Sequence, residues 1–329
     1  LYGNAAHNVL FGGAGTETVH GGAASDILFG GYGQVSGTTA LATSPAGGNN
    51  TLTAGGSANL LIGSGGDDTF SATTSAPNVF LGDTGAVTFS SLYSAGGFVT
   101  GVVASTAASG NDTFTVRDGR NFLVGGGGGD TLHGGAGDDY LFGDNATLVL
   151  DQATGVLTSF TTTNPTFGGD DVLHGNGGRD LLLGGYRDDT LEGGAGDDLL
   201  FGDHGAVVLV AGYPTEARTR DTVNGGADTL RAGSGHDHLF GGPGDDTLVA
   251  SSGHNVLFGD HGVALLGGGS SSAWTVFTTD PGAGGNDQLT GGTGVDLHFG
   301  GYGDDTLTGG SGDDYLLGDS GRMERDEPG

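Results

Sequence analysis

The residues in this chain that could do chemistry are aspartates set at a nine-residue pitch inside glycine-rich segments. The clearest run, residues 282–317, reads as four units without a gap: GAGGNDQLT, GGTGVDLHF, GGYGDDTLT and GGSGDDYLL. Gly stands fourth in each unit and Asp sixth (Asp287, Asp296, Asp305, Asp314), with Leu eighth except at His298. Carboxylates stacked one above another repel unless a cation lies between them, and oxygen ligands alone suit a hard ion such as Ca²⁺. The doublets Asp138/Asp139, Asp188/Asp189, Asp197/Asp198, Asp245/Asp246, Asp304/Asp305 and Asp313/Asp314 also invite an acid–base reading. Their recurrence fits structural ligation better, because a catalytic pair is needed once.

Positioning such a ladder takes turns and strands of a particular kind. Glycines at positions 1, 2 and 4 permit a tight, carbonyl-exposing turn. The three residues after the Asp are enough for a short strand whose middle side chain faces one way and its neighbours the other. One inward side chain per strand builds no globular core. It can build a flat coil in which the eighth residues of two opposed sheets meet, with one nonapeptide per half-turn and position 6 aligned along both edges.

A longer period overlies the short one. Gly-Asp pairs at Gly82-Asp83, Gly143-Asp144, Gly202-Asp203, Gly259-Asp260 and Gly318-Asp319 close five successive blocks about 59 residues apart, with Gly30-Gly31 in the same context earlier. The expected blocks of a single solenoid are 1–35 (partial), 36–87, 88–149, 150–208, 209–264 and 265–329. Beyond the four already named, the position-6 acids are Asp26, Asp68, Asp112, Asp130, Asp139, Asp171, Asp180, Asp189, Asp198, Asp228, Asp237 and Asp246. Asn8, Asn50, Asn59, Asn78, Asn121 and Asn255, with Glu17, fill the remaining slots. Acid is therefore sparse before residue 100, and the N-terminal third is expected to bind metal poorly.

Positions 7 and 9 divide the strands again. In odd half-turns they are mostly polar (Thr113/Thr115, Thr190/Glu192, Thr306/Thr308), and in even ones largely apolar (Phe122/Val124, Leu181/Leu183, Val256/Phe258). One sheet should face water while the other is apolar on both faces and needs a cover. Each Gly-Asp pair precedes about twenty residues that read as a hairpin, for example 146–150 with 156–160, or 263–266 with 274–277. Two coils rise by as much as the two strands of a hairpin, so successive hairpins are expected to form a third sheet over the apolar face.

The nonapeptide pattern resembles that of the RTX, or haemolysin-type calcium-binding, family, and the resemblance covers most of the chain. It implies an all-β calcium-binding parallel β-roll in which turn carbonyls and the sixth-position Asp of stacked coils hold Ca²⁺. The sixteen aspartates are the expected ligands, for about eight ions or more at roughly two per block in the last four blocks.

Composition narrows the function. Lys+Arg 9 against Asp+Glu 39 gives a formal charge of −30, and all nine cations are Arg. That argues against nucleic acid and anionic membrane surfaces as partners, and no apolar run approaches a membrane span. The 75 Gly cost backbone entropy on folding, and the absence of Cys removes disulfides. Calcium is expected to do the cross-linking, in a secreted, extracellular or cell-surface setting. No HExxH, GxSxG or P-loop lysine is present, so no enzyme is expected in this segment. The leading reading is a structural module of an extracellular adhesin or filament, self-associating end to end. The alternative is the C-terminal repeat region of a secreted enzyme or toxin whose active domain lies elsewhere. Leu1 falls inside a repeat and 322–327 read as a short charged tail, so the chain looks like a segment of something longer. Sequons at Asn49, Asn111 and Asn145 would carry glycan in a eukaryotic source.

Overall fold

The structure is a computed structural model that describes all residues except 57, 76, 92–98, 106–108, 222, 268–273, 281 and 326–329. Among the described residues there is no helix, and so none long and apolar enough to cross a membrane. Successive nonapeptide strands alternate between two parallel sheets. One has twelve strands, from Val9–Phe11 to Tyr315–Leu317, and the other eleven, from Thr18–His20 to Thr306–Ser311. Pairing is in register with the repeat: Leu173, Leu191, Leu230, Leu248, Leu289 and Leu307 stack as one column.

Between these two sheets lies a core one side chain deep on each face. Leu132, Leu141, Leu182, Leu191, Leu200, Leu230 and Leu239 are fully buried there. Each such side chain contributes about 1.5–3 kcal/mol, which must offset the entropy of a glycine-rich turn. Towards the N-terminus the column switches to rings, with Phe70 and Phe114 stacked at 4.6 Å.

The twelve-stranded sheet carries the apolar residues at positions 7 and 9, and its outer face is covered. An eleven-stranded antiparallel sheet lies on it, built from the hairpins Gly33–Ser36/Thr39–Ala42, Gly85–Phe89/Val99–Ala104, Ala146–Leu150/Leu157–Thr162, Gly205–Val210/Tyr213–Thr219 and Gly262–Leu265/Trp274–Thr278. Hairpins of successive blocks bond to one another, as in Val102 against Leu148 and Ala217 against Ala264. The second core so formed includes Phe142, Phe201, Phe240, Phe258 and Phe299 from the coil and Leu148, Phe160, Val207 and Val276 from the hairpins. The uncovered sheet presents Thr, His and charged side chains to solvent, among them His133 and His174 stacked at 4.7 Å.

Two details differ from the sequence reading. The tail does not hang free: Arg322–Arg325 is a strand that pairs with Trp274–Thr278 and ends the third sheet, while 326 and 327 lie outside the described residues. Nor does the Gly-Asp pair simply close a block. A methyl group on Gly82 would lie 2.0 Å from Asp112 Oδ2, so Gly82 fills the first position of the Asp112 unit, with the hairpin spliced into that unit after Asp83. The splice goes unnoticed in the linear pattern because it interrupts a nonapeptide between its second and fourth residues.

Candidate metal-binding edges

Each turn delivers its sixth residue to one of two edges, according to which parallel sheet the following strand joins. Along the first edge run Glu17, Asn50, Asp68, Asp112, Asp130, Asp171, Asp189, Asp228, Asp246, Asp287 and Asp305. Along the second run Asn8, Asp26, Asn59, Asn78, Asn121, Asp139, Asp180, Asp198, Asp237, Asn255, Asp296 and Asp314. All sixteen aspartates picked from the sequence thus fall on these two lines.

The line is held by a ladder of hydrogen bonds. One carboxylate oxygen, Oδ1, accepts the backbone N–H of the sixth residue in the coil before it. Asp68 donates to Asp112 at 2.6 Å, Asp112 to Asp130 at 2.7 Å, Asp130 to Asp171 at 2.6 Å and Asp171 to Asp189 at 2.7 Å. The second edge repeats the pattern from Asp139 to Asp180 and from Asp180 to Asp198, both at 2.8 Å. The partner lies 18 residues away within a block and 39 to 44 away across a hairpin.

The other oxygen is the informative one. On the first edge, Oδ2 of every aspartate from Asp68 to Asp305 is buried without a hydrogen-bond partner, as is Oδ2 of Asp139, Asp180, Asp198 and Asp237 on the second. Asp68, Asp112, Asp130, Asp171, Asp189, Asp228, Asp246 and Asp287 are each only 1% exposed. Along the first edge, a carbonyl oxygen lies across the same turn space from each Oδ2. A methyl group on Gly125 would lie 2.1 Å from Asp130 Oδ2 and 2.3 Å from the Gly143 carbonyl. One on Gly184 would lie 2.2 Å from Asp189 Oδ2 and 2.4 Å from the Gly202 carbonyl. Glycine keeps that space free of a Cβ, and no N–H or O–H donor reaches Oδ2. A buried acceptor facing acceptors is costly unless a proton or cation joins them.

The asparagines show the alternative. Asn121 Nδ2 donates to the carbonyls of Arg117, Gly119 and Gly134 at 3.3, 3.1 and 3.3 Å and to Asp139 Oδ1 at 2.9 Å. Asn50 Nδ2 donates to Gly48 O at 2.6 Å, and Asn8 Nδ2 to Ala6 O at 2.6 Å. An amide supplies hydrogens to the turn; an ionised carboxylate in the same place supplies none. The residues therefore fit a hard cation along the first edge from Asp68 to Asp305 and at Asp139, Asp180, Asp198 and Asp237 on the second, whereas Asp296 Oδ2 accepts the Gly292 N–H at 3.0 Å. Among the described residues, no group of three or more His, Asp or Glu side chains converges as a metal cage. The donor set is accordingly one carboxylate per coil plus backbone carbonyls, which is oxygen chemistry of the calcium kind.

Without that cation the carboxyls hold their protons to higher pH than free carboxylic acids do. Burial first, and then neighbouring carboxylates, lift Asp112, Asp130, Asp171, Asp189 and Asp246 well above the ordinary carboxylate range, against the lowering effect of the ladder hydrogen bonds in Asp112, Asp130, Asp171, Asp189 and Asp246. Burial likewise pushes Asp68, Asp180 and Asp237 to about 7, and Asp139, Asp198 and Asp287 to about 8.

A further set of buried carboxylates was not among the sequence candidates. Asp83, Asp144, Asp203 and Asp260 are 2 to 3% exposed and sit in the interrupted turns beside the first edge. The signal was present as the recurrent Gly-Asp pair, but it reads as punctuation until the coil brings the two ends of the split turn together. Three buried histidines stay apart from this chemistry. His298 is fully buried in the core, and His204 and His261 are buried where the hairpins begin. Asn145, one of the three sequon asparagines, is 0% exposed.

The family model for the RTX calcium-binding nonapeptide repeat (4 copies) matches residues 1–34, 46–73, 115–145, 168–186, 183–206, 222–260, 282–297 and 290–322. No curated protein matches the chain. The stretches that the family model leaves out include most of each hairpin. Nonapeptide coils with interleaved hairpins make up its length, and the chain belongs to the RTX calcium-binding nonapeptide-repeat family.

Proposed function

We propose that this repeat region is a calcium-stiffened rod that spaces or displays other parts of a secreted, extracellular adhesin or filament, with the sixteen position-6 aspartates as its metal ligands. The observation that carries this is the unbroken row of buried, unpartnered Oδ2 atoms from Asp68 to Asp305, each aimed at open turn space. Such a row serves no single reaction; it ties folding of the coils it runs through to the same ion. Metal bound only by the coil stabilises it by mass action, so a change in calcium between cell interior and exterior would act as a folding switch. The end strands favour assembly along the axis. Val9 and Phe11 at one end and Tyr315 and Leu316 at the other are 45, 39, 51 and 45% exposed, beside unpaired strand edges on which further coils could continue. Circular dichroism and small-angle scattering in chelator and in millimolar Ca²⁺ test the proposal. Disordered chain should become β-rich rod on adding calcium, and a native spectrum in excess chelator would refute it. Electron microscopy of the loaded protein tests assembly, for which short uniform monomers at micromolar concentration are the contrary result.

A further inference from the structure

We propose that Asp83 and Asp203, the second residues of two hairpin-interrupted turns, are additional cation ligands beside the first edge, whereas Asp144 and Asp260 at the equivalent places are hydrogen-bond clamps. This rests on the calcium reading above and goes beyond the nonapeptide pattern, in which the second position is glycine.

All four aspartates do one job in common. Splicing a hairpin into a turn leaves two chain ends to be rejoined, and the carboxylate helps by accepting an N–H from beyond the hairpin, from the next coil, or from both. Asp144 accepts from Gly169 through Oδ1 at 3.2 Å and from Tyr186 through Oδ2. Asp260 accepts from Gly285 through Oδ1 at 2.9 Å and from Tyr302 through Oδ2. Both oxygens of both residues are thereby used.

The other two are left half-satisfied for identifiable reasons. Asp203 Oδ1 accepts Gly226 N–H at 3.1 Å, but the residue matching Tyr186 and Tyr302 in the coil above is Pro243, which has no N–H. Asp203 Oδ2 is buried with no partner and faces an oxygen instead: a methyl group on Gly225 would lie 2.1 Å from it and 2.5 Å from the Pro243 carbonyl. Asp83 Oδ2 accepts Gly127 N–H at 2.8 Å, while the N–H of Gly110, which should reach Oδ1, goes to the Gly127 carbonyl at 2.8 Å. Asp83 Oδ1 is consequently buried and unpartnered.

Both carboxyl groups lie within electrostatic reach of first-edge carboxyls. Asp203 feels the charges of Asp228 and Asp246, whose own Oδ2 atoms lack partners, and Asp83 feels that of Asp68, which is in the same condition. Several buried carboxylate oxygens with no N–H donor, one of them facing the Pro243 carbonyl, suit a divalent cation with oxygen preference. Calcium at these two junctions would also tie the hairpin to the coil, because Asp83 and Asp203 belong to both.

Equilibrium dialysis of the whole chain against Ca²⁺ decides the matter, with circular dichroism as the check of fold. Asp203→Asn keeps the Oδ1 acceptor for Gly226, so the saturated variant should keep its spectrum and bind one ion fewer than the parent. Asp144→Asn should bind the parental number. Pro243→Ala restores an N–H aimed at Asp203 Oδ2 and should weaken one site about tenfold; it carries the test by itself if Asp203→Asn fails to fold. An unchanged count in Asp203→Asn, an unchanged isotherm in Pro243→Ala, or an equal loss in Asp144→Asn overturns the inference and leaves the calcium rod standing. A parent chain that binds no calcium overturns both.

Discussion

The two edges of the coil share one backbone pattern and differ in one atom per turn. The first edge carries aspartate without a break from Asp68 to Asp305, and each has a stranded Oδ2. The second is interrupted by Asn59, Asn78, Asn121 and Asn255, and the amides of Asn121 and Asn255 bond to the stack around them. Replacing a carboxylate oxygen by NH₂ turns a place that demands a cation into one that closes by itself. The comparison teaches that calcium dependence is written turn by turn, and unequally on the two sides. It also gives a physical account of the acid-poor beginning: of the five position-6 residues in the first 60, Asn8, Glu17, Asn50 and Asn59 are not aspartate, and Asp26 is the exception.

The largest expected effect comes from converting the first edge into the second. In Asp171→Asn/Asp189→Asn/Asp228→Asn the central coils should bind at least two fewer ions and keep β-structure at calcium levels that unfold the parent. Calorimetric titration and chelator-induced unfolding measure both; a variant that needs as much calcium as before would erase the distinction between the edges.

Next in size is the loss of one ligand on the interrupted edge. Asp180→Ala removes both the acceptor for Asp139 N–H and the stranded Oδ2. It should weaken binding chiefly near Asp198 on its own edge and cost about 1–3 kcal/mol of stability in calcium from the unsatisfied N–H. Denaturant unfolding with a parallel calcium titration reads this. Equal weakening on the first edge would show that the two sides act as one.

Acid should sharpen the contrast without any mutation. With folded-state values near 7 to 8 for Asp68, Asp139, Asp198 and Asp287 against 3.8 for the free group, the metal-free coil binds more protons than the unfolded chain across that interval. Its stability therefore rises as the pH falls from about 8 towards 4 and is lost as the pH rises through 7 to 8. Calcium and protons compete for the same oxygens, so calcium affinity should run the opposite way. Far-UV circular dichroism of the chelated protein from pH 8 to 5 is the measurement, and a chain that gains no β-structure on acidification contradicts it.

The smallest effect is a gain. Asn255 Nδ2 donates to Asp296 Oδ1 at 2.9 Å, and Asn255→Asp would remove that hydrogen and complete an aspartate run from Asp139 to Asp314. One further calcium equivalent should appear, with slightly lower stability in chelator. An unchanged stoichiometry would mean that Asp alone does not make a site on this side.

Much of this was legible in the residues. The nine-residue period fixes the turns, the alternation of Leu at position 8 fixes the inner core, and the polarity of positions 7 and 9 separates the solvent-facing sheet from the covered one. Those are local properties: each depends on the direction of a side chain within three residues of its own turn. What the tertiary structure decided lies between turns. The ladder that seats Asp112 under Asp68 joins residues 44 apart, and the bond from Gly226 to Asp203 spans a hairpin of 23. Whether Asp203 has a spare oxygen depends on a proline in the next coil, and Arg322–Arg325 becomes a strand only because Trp274–Thr278 offers it an edge. Period and polarity are written along the chain, whereas hydrogen-bond satisfaction depends on which turn is stacked upon which, and only the assembled coil sets that.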